Sequence, residues 1–156
     1  MTDISTIRRI LKDNHRVAVV GLSGKWYRPS HFAAKYLLDH GYEVTPVNPA
    51  ETEVLGQKSY ANLSDLPGPV DVVDIFRRPE EVPALVDQAI EIGARVVWMQ
   101  IGVVHEEAAA KARAAGLDVI MDRCMKIEYA RLFGGLGFVG VNTGVISAKR
   151  SRYLPY

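Results

Sequence analysis

Two cations, Lys25 and Arg28, lie in a short polar loop that follows a run of apolar, β-branched residues. The loop begins at Gly21 and includes Gly24. Glycine permits both a sharp turn and the close approach of a ligand to the backbone. Basic side chains beside exposed backbone N–H groups are suited to hold a phosphate. The pattern predicts a phosphate-binding loop, and the alternative is an ordinary turn in which the glycines serve geometry alone.

The same loop leads into a helix that begins at Pro29 and Ser30. Proline suits the first helical position, and we expect the hydroxyl of Ser30 to cap the helix. The first N–H groups of a helix have no partner within it and, together with the helix dipole, attract an anion. The helix N-terminus therefore adds to the anion site predicted for the loop.

Two further arginines, Arg77 and Arg78, follow a nearly continuous apolar run. A guanidinium group pairs with phosphate oxygens through two parallel hydrogen bonds, so several arginines suit a ligand with several phosphates. Pro79 fixes the turn on which both arginines lie. The alternative is that they are simply solvated at the end of a strand.

The sequence shows no pattern of catalytic or metal-binding residues. The four histidines are scattered, without the spacing of metal ligands, and His31 is expected on a helix surface. Asp71 and Asp74 lie within the apolar run, where we expect them to serve the fold. Cys124 is expected to be buried and inert; the alternative is a thiolate favoured by Arg123 and by the following helix. We predict binding without catalysis and without a metal.

The loop also differs from the dinucleotide-binding fingerprint. That fingerprint requires Gly-x-Gly-x-x-Gly and an acidic residue at the end of the second strand. Here the turn reads Gly21-Leu-Ser-Gly24, and the second strand ends at Asn48 and Pro49. Glu51 lies just beyond and could be recruited to a ribose only with strain. An NAD(P)-dependent oxidoreductase is therefore disfavoured, but it stays an alternative.

The hydrophobic pattern alternates between helices and strands. After a first helix it predicts β-α-β, a weak strand at residues 54–56 or 59–60, and then β-α-β-α-β-α. This order is typical of an α/β protein with a single doubly wound, mostly parallel sheet and helices on both faces. Ligands bind such folds at the carboxyl ends of the strands. The loops at residues 22–29, 48–49, 77–78 and 100–102 should therefore lie on one edge of the sheet.

Length and composition indicate one globular domain. The 156 residues are 48% hydrophobic and 24% charged, with a net charge of +1, which gives no reason to expect a nucleic-acid or membrane partner. A single cysteine fits a reducing compartment. No segment approaches the ~18 apolar residues that span a bilayer, and the N-terminus lacks the apolar run of a signal peptide. We expect a cytoplasmic protein.

Six blocks of the sequence carry a resemblance to a known family. They are residues 19–23, 28–30, 47–49, 75–80, 97–103 and 121–124. In order and spacing they resemble the small stand-alone CoA-binding proteins of bacteria, which are similar to the CoA-binding Rossmann-like domain of the succinyl-CoA synthetase α subunit. The likeness implies a Rossmann-like fold, with coenzyme A or an acyl-CoA as the ligand.

The resemblance also implies which residues hold this ligand, and they follow the ends of successive strands. Around the phosphates they are Gly21, Ser23, Gly24, Lys25, Arg28, Pro29 and Ser30. Near the adenosine they are Asn48, Pro49 and Lys58. Along the pantetheine arm they are Phe76, Arg77, Arg78, Gln100 and Gly102.

The chain departs from the synthetase because it has neither the ligase domain nor the phosphorylated histidine of that domain. We therefore expect residues 1–133 to form a domain that binds CoA or an acyl-CoA without catalysis. The alternative that the resemblance adds is the CoA-binding subunit of a split acyl-CoA ligase, which would require a ligase-type partner. The glycine-rich residues 134–156 are expected to pack on the domain or on a partner, including a second copy. Under oxidation, a reactive Cys124 would form a mixed disulfide with CoA.

Overall fold

Seven strands and five α-helices alternate along residues 2–134, the part of the chain that the computed structural model describes. The strands are β1 (Arg16–Val20), β2 (Glu43–Val47), β3 (Glu53–Val54), β4 (Gln57–Lys58), β5 (Val72–Ile75), β6 (Val96–Met99) and β7 (Asp118–Ile120). The helices are α1 (Ile4–Asp13), α2 (Pro29–Asp39), α3 (Val82–Glu91), α4 (Glu106–Ala114) and α5 (Met125–Leu132). The predicted order of elements is confirmed, except that the weak strand is a pair of short strands, β3 and β4.

Five of the strands form one parallel sheet in the order β2-β1-β5-β6-β7. The chain moves outward from β1 to β2, returns to β5 on the other side of β1, and then continues outward in the second direction. The strand order therefore reverses between β1 and β5. In open α/β sheets, ligands bind in the crevice at this switch point, outside the carboxyl ends of the strands.

Helices cover both faces of the sheet, as a doubly wound fold requires. Side chains of α1, α2 and α5 pack on one face, around the fully buried Trp98. Side chains of α3 and α4 pack on the other face, around Val73 and Met99. The strands are apolar at nearly every position because each of their two faces is covered.

The weak strand differs from the prediction. Strands β3 and β4 form a two-stranded antiparallel hairpin outside the main sheet. Leu55 and Gly56, which were expected inside a strand, form its turn with φ angles of +53° and +76°. Tyr60 makes only an isolated bridge to Val47, at the end of β2. The segment is too short and too polar to be covered on both faces, so it remains at the edge.

The expected packing of residues 134–156 concerns a segment that lies, beyond its first residue, outside the described residues. Within the described part of the chain, no helix has both the length and the apolar composition needed to cross a membrane.

Candidate functional site

The loop after β1 lies at the switch point of the sheet, and Gly21 begins it. Gly21 has a φ of +86°, which side chains other than glycine rarely adopt. A Cβ atom at this position would lie 2.5 Å from the carbonyl oxygen of Phe76, just past the end of β5. The glycine is therefore required by the packing of two strand ends, whether or not a ligand is bound.

Side-chain oxygens hold the loop by its backbone N–H groups. The hydroxyl of Ser30 accepts the N–H of Ser23 at 3.0 Å, and a carboxylate oxygen of Glu51 accepts the N–H of Gly24 at 2.9 Å. The hydroxyl of Ser23 accepts the N–H of Lys25 at 3.1 Å. Each of the three amides therefore faces an oxygen, as it would in a complex with a phosphate.

The predicted cap of α2 is wrong. Arg28 is the N-cap residue, and its side chain makes no capping bond; Pro29 is the first helical residue. Ser30 is already inside the helix and buried, and its hydroxyl turns back to the loop instead. His31, predicted on a helix surface, is half-buried, with Nδ1 3.0 Å from the carbonyl oxygen of Ser23. The first turn of α2 thus holds the loop in place.

A cleft of about 360 Å³, the loop cleft, lies between this loop and the end of β5. Its lining residues are Gly21, Ser23, Lys25, Arg28, Pro29, Ser30 and Phe76. All of them belong to the set predicted from the sequence. Lys25 and Arg28 are exposed at its rim, and the Arg28 guanidinium lies 5.6 Å from the centre of the Tyr27 ring.

Two further clefts continue from the loop cleft along the same edge. The arginine cleft, about 400 Å³, is lined by Phe76, Arg77, Arg78, Pro79, Glu81, Ile101, Gly102 and Val103. The β2 cleft, about 270 Å³, includes Pro49 and Asn62 beside Arg77. Phe76 lines both the loop and the arginine clefts, and Arg77 lines both the arginine and the β2 clefts. The three clefts therefore adjoin one another across the switch point.

The four cations around these clefts have no acidic partner among the residues that the structure describes. Lys25, Arg28, Arg77 and Arg78 form no ion pair with any residue in the range 2–134. At the opposite edge of the sheet, by contrast, Arg16 pairs with Asp71 at 2.7 Å. This bond lowers the pKa of the Asp71 carboxyl, against the opposing effect of its burial. The charge of the four cations is thus available to an anion.

Asn48 ties the strand ends together. Its side-chain amide donates to the carbonyl of Leu22 at 3.1 Å, and its oxygen accepts the N–H of Ala50 at 3.0 Å. Arg77 approaches the same oxygen at 3.5 Å. Lys58 was also predicted near the adenosine. It lies on β4, and its ammonium group is 5.1 Å from the centre of the Tyr60 ring. It lines none of the three clefts.

Gln100 lies below the surface of the site rather than at it. The residue is 4% exposed and lines none of the three clefts, and neither polar atom of its side chain has a hydrogen-bond partner among the described residues. Asp74 is wholly buried on β5, and both its carboxylate oxygens are likewise unpartnered. Burial raises the pKa of Asp74 to about 8, so its carboxyl group is protonated at neutral pH.

Cys124 is buried, as predicted, and its surroundings do not support the alternative of a reactive thiolate. The residue is fully buried at the N-cap of α5. Burial is the main cause that raises the pKa of its thiol. Arg123, expected to favour a thiolate, instead pairs with the buried Glu128 at 3.3 Å. Within the described residues, no three His, Cys, Asp or Glu side chains are grouped to hold a metal ion.

Three acidic residues of this edge were not predicted as part of the site. Glu51 approaches the loop across the turn after β2. Glu81 lines the arginine and β2 clefts and accepts the N–H of Arg78 at 3.3 Å. Asp122 accepts the N–H of Gly102 at 2.7 Å. The bond of Glu81 could have been predicted, because an acidic residue three positions after the start of a turn commonly accepts the N–H of the first residue. The bonds of Glu51 and Asp122 could not, because each joins segments that are far apart in the chain.

A family model described as a CoA binding domain matches residues 15–130. The chain belongs to this CoA-binding family. The resemblance inferred from the six sequence blocks is thereby confirmed, and so is the Rossmann-like fold. The match includes every strand and the loops around all three clefts.

Known relatives of this CoA-binding chain cover most of its length. It is 44% identical over 124 residues to the uncharacterized protein YneT of Bacillus subtilis (strain 168), and the match covers 80% of this chain and 92% of that protein. A solved structure of a hypothetical protein from Pyrococcus horikoshii OT3 is 44% identical, with a TM-score of 0.83, and the match covers 85% of this chain and 94% of that one.

A more distant similarity is to one section of a larger protein. The solved structure of the dinucleotide forming acetyl-coenzyme A synthetase 1 of Ca. Korarchaeum cryptofilum is 25% identical, with a TM-score of 0.61. The match covers 72% of this CoA-binding chain but only 27% of the synthetase. The shared part corresponds to one section of that protein.

Proposed function

We propose that this protein binds coenzyme A, or an acyl-CoA, at the three adjoining clefts and does not itself catalyse a reaction. The observation that carries this proposal is a set of four cations around the switch point of a CoA-binding family member, none of which is ion-paired with any of residues 2–134. They are Lys25, Arg28, Arg77 and Arg78. Several separate cations suit a ligand with three phosphate groups better than they suit a ligand with a single phosphate group.

The arrangement of the clefts supports an orientation for the ligand. The diphosphate takes the loop cleft, where the N-terminus of α2 and the loop amides lie. The adenosine end takes the β2 cleft beside Pro49 and Arg77, and the pantetheine arm passes Phe76 into the arginine cleft. Phe76 lies between the loop and arginine clefts, so its ring is available to the apolar part of the arm.

The NAD(P) alternative receives less support from the same geometry. It requires a carboxylate at the end of β2 that is free to bind ribose hydroxyls. The nearest acid, Glu51, accepts the N–H of Gly24 instead. Asn48, at the strand end itself, bonds to Leu22 and Ala50.

A second candidate function, the CoA-binding subunit of a split acyl-CoA ligase, rests on the likeness to one section of the acetyl-coenzyme A synthetase. In that case the missing chemistry comes from a separate ligase-type protein. Purification of the tagged protein from its own cells, followed by identification of stoichiometric partners, tests this candidate. A partner that confers acyl-CoA synthesis on the mixture supports it, and a protein recovered alone with bound CoA contradicts it.

Calorimetric titration of the purified protein with CoA, 3′-dephospho-CoA and NAD tests the main proposal. We expect CoA to bind most tightly, because it alone carries the 3′-phosphate together with the diphosphate. Mass spectrometry of ligand released from the purified protein shows whether an acyl group is present. Equal affinities for all three compounds, or a preference for NAD, would contradict the proposal.

A further inference from the structure

The carboxylate of Glu51 lies against the loop that is suited to a phosphate, beside the loop cleft and not among its lining residues. One of its oxygens accepts the N–H of Gly24 at 2.9 Å. The other two loop amides donate to the neutral hydroxyls of Ser30 and Ser23. Glu51 is therefore the one charged acceptor among the three, and a carboxylate oxygen has the charge and hydrogen-bonding character of a phosphate oxygen.

The approach of Glu51 to the loop is close. A Cβ atom at Gly24 would lie 2.9 Å from one Glu51 oxygen and 3.1 Å from the other. Gly24 is the loop glycine whose missing side chain leaves this space, and φ at this position is not in the left-handed region. The absence of a side chain at Gly24 thus serves the contact with an oxyanion, which Glu51 supplies from within the chain.

Glu51 bonds to the backbone although several cations surround the loop. It forms no ion pair within the described range of the chain, so Lys25, Arg28 and Arg77 keep their charge unpaired. A phosphate that enters the loop cleft meets two opposing effects. It is attracted by these cations, and it is repelled by the carboxylate that occupies the Gly24 amide.

We propose that Glu51 determines the specificity of the loop by occupying its anion position until a ligand with several phosphates displaces it. The inference rests on the proposed CoA function and adds a residue that selects the class of ligand. A compound with one phosphate, or with a carboxylate, gains too little from the cations to replace Glu51. A compound whose diphosphate contacts both Lys25 and Arg28 gains enough.

Two variants separate the charge of Glu51 from its hydrogen bond. Glu51→Gln removes the charge and keeps an oxygen that can accept from Gly24, whereas Glu51→Ala removes both. Glu53→Gln is the matched control, because Glu53 is exposed on β3 and accepts no hydrogen bond from the loop, whose amides donate to Ser30, Glu51 and Ser23. Each protein is titrated calorimetrically with CoA and with inorganic phosphate, a compound with one phosphate group that the parent should reject.

We expect both Glu51 variants to bind CoA at least about fivefold more tightly than the parent, because a repelling charge is removed. They should gain relatively more affinity for inorganic phosphate, which makes too few contacts to displace Glu51. Glu53→Gln should bind as the parent does.

The outcomes distinguish this inference from the proposed function. If the parent binds CoA while both Glu51 variants bind it equally or more weakly, the inference is overturned and the proposed function survives. Weaker binding by the variants would mean that Glu51 contacts the ligand. If the variants gain affinity for inorganic phosphate but CoA binds to none of the proteins, the inference holds and the CoA function fails. No binding of either compound to any of the proteins overturns both.

Discussion

The backbone of Gly21 lies against the carbonyl oxygen of Phe76, so close that a Cβ atom on Gly21 would be 2.5 Å from it. The contact joins the ends of β1 and β5, the two strands between which the strand order reverses. The crevice of the proposed ligand site thus begins at a point where the two chain segments can approach only because one residue has no side chain.

Gly21→Ala should destabilise the protein more than Gly41→Ala. Both glycines have a similar φ, +86° and +89°, but a Cβ at Gly41 meets nothing within 4 Å. The difference between the two variants therefore isolates the collision with Phe76, for which we expect about 1–3 kcal/mol. Denaturant unfolding of both variants measures it, and equal losses of stability would show that β5 moves aside at no cost.

Arg28→Ala and Arg77→Ala should each weaken CoA binding by roughly ten- to a hundredfold, because a lost charged hydrogen bond costs about 1.5–3 kcal/mol. Neither arginine is ion-paired within residues 2–134, so thermal stability should change little. Arg95→Ala is the control, because Arg95 is exposed at the amino end of β6. Titration of the three variants checks this; unchanged affinity in the first two would mean that these arginines are only solvated.

Asp74→Asn should change how stability depends on pH. Burial raises the pKa of Asp74 from 3.8 to about 8 in the folded protein, so between these values the folded state holds a proton that the unfolded state has released. The stability of the parent therefore falls as pH rises through this window, by up to about 1.4 kcal/mol per pH unit, and levels off above it.

The amide side chain that this substitution introduces cannot ionise, so that contribution disappears. Urea unfolding of the parent and of Asp74→Asn between pH 5 and pH 9 measures the difference between the two proteins. We expect the variant to gain stability relative to the parent as pH rises. A difference that stays constant over this range would mean that Asp74 does not bind a proton in the folded state.

Cys124 should not react with CoA disulfide in the folded protein, because its thiol is fully buried and burial raises the thiol pKa. Intact-protein mass spectrometry should show an unmodified mass under native conditions and one adduct after denaturation. Ser64→Cys provides the control, since Ser64 is exposed and a thiol there should react in the folded state. A native adduct that depends on Cys124 would restore the reactive alternative.

The sequence by itself determined the elements and the edge at which their loops meet. Apolar runs such as residues 70–76 predict strands covered on both faces, and the helical repeats between them require parallel connections. Parallel strands present all their carboxyl ends to one side, so Lys25, Arg28 and Arg77 could be assigned to one edge before the strand order was known. The short hairpin of β3 and β4 was missed because two-residue strands leave no period to detect.

Only the tertiary structure decided which side chains face the clefts and which bond to the backbone around them. Ser30 turns to the loop instead of capping α2, Gln100 is buried beneath the site, and Glu51 reaches Gly24 from 27 residues away. The physical reason is that hydrophobic periodicity records whether a position is covered, whereas the partner of a polar group depends on which distant segments the fold brings within hydrogen-bond distance.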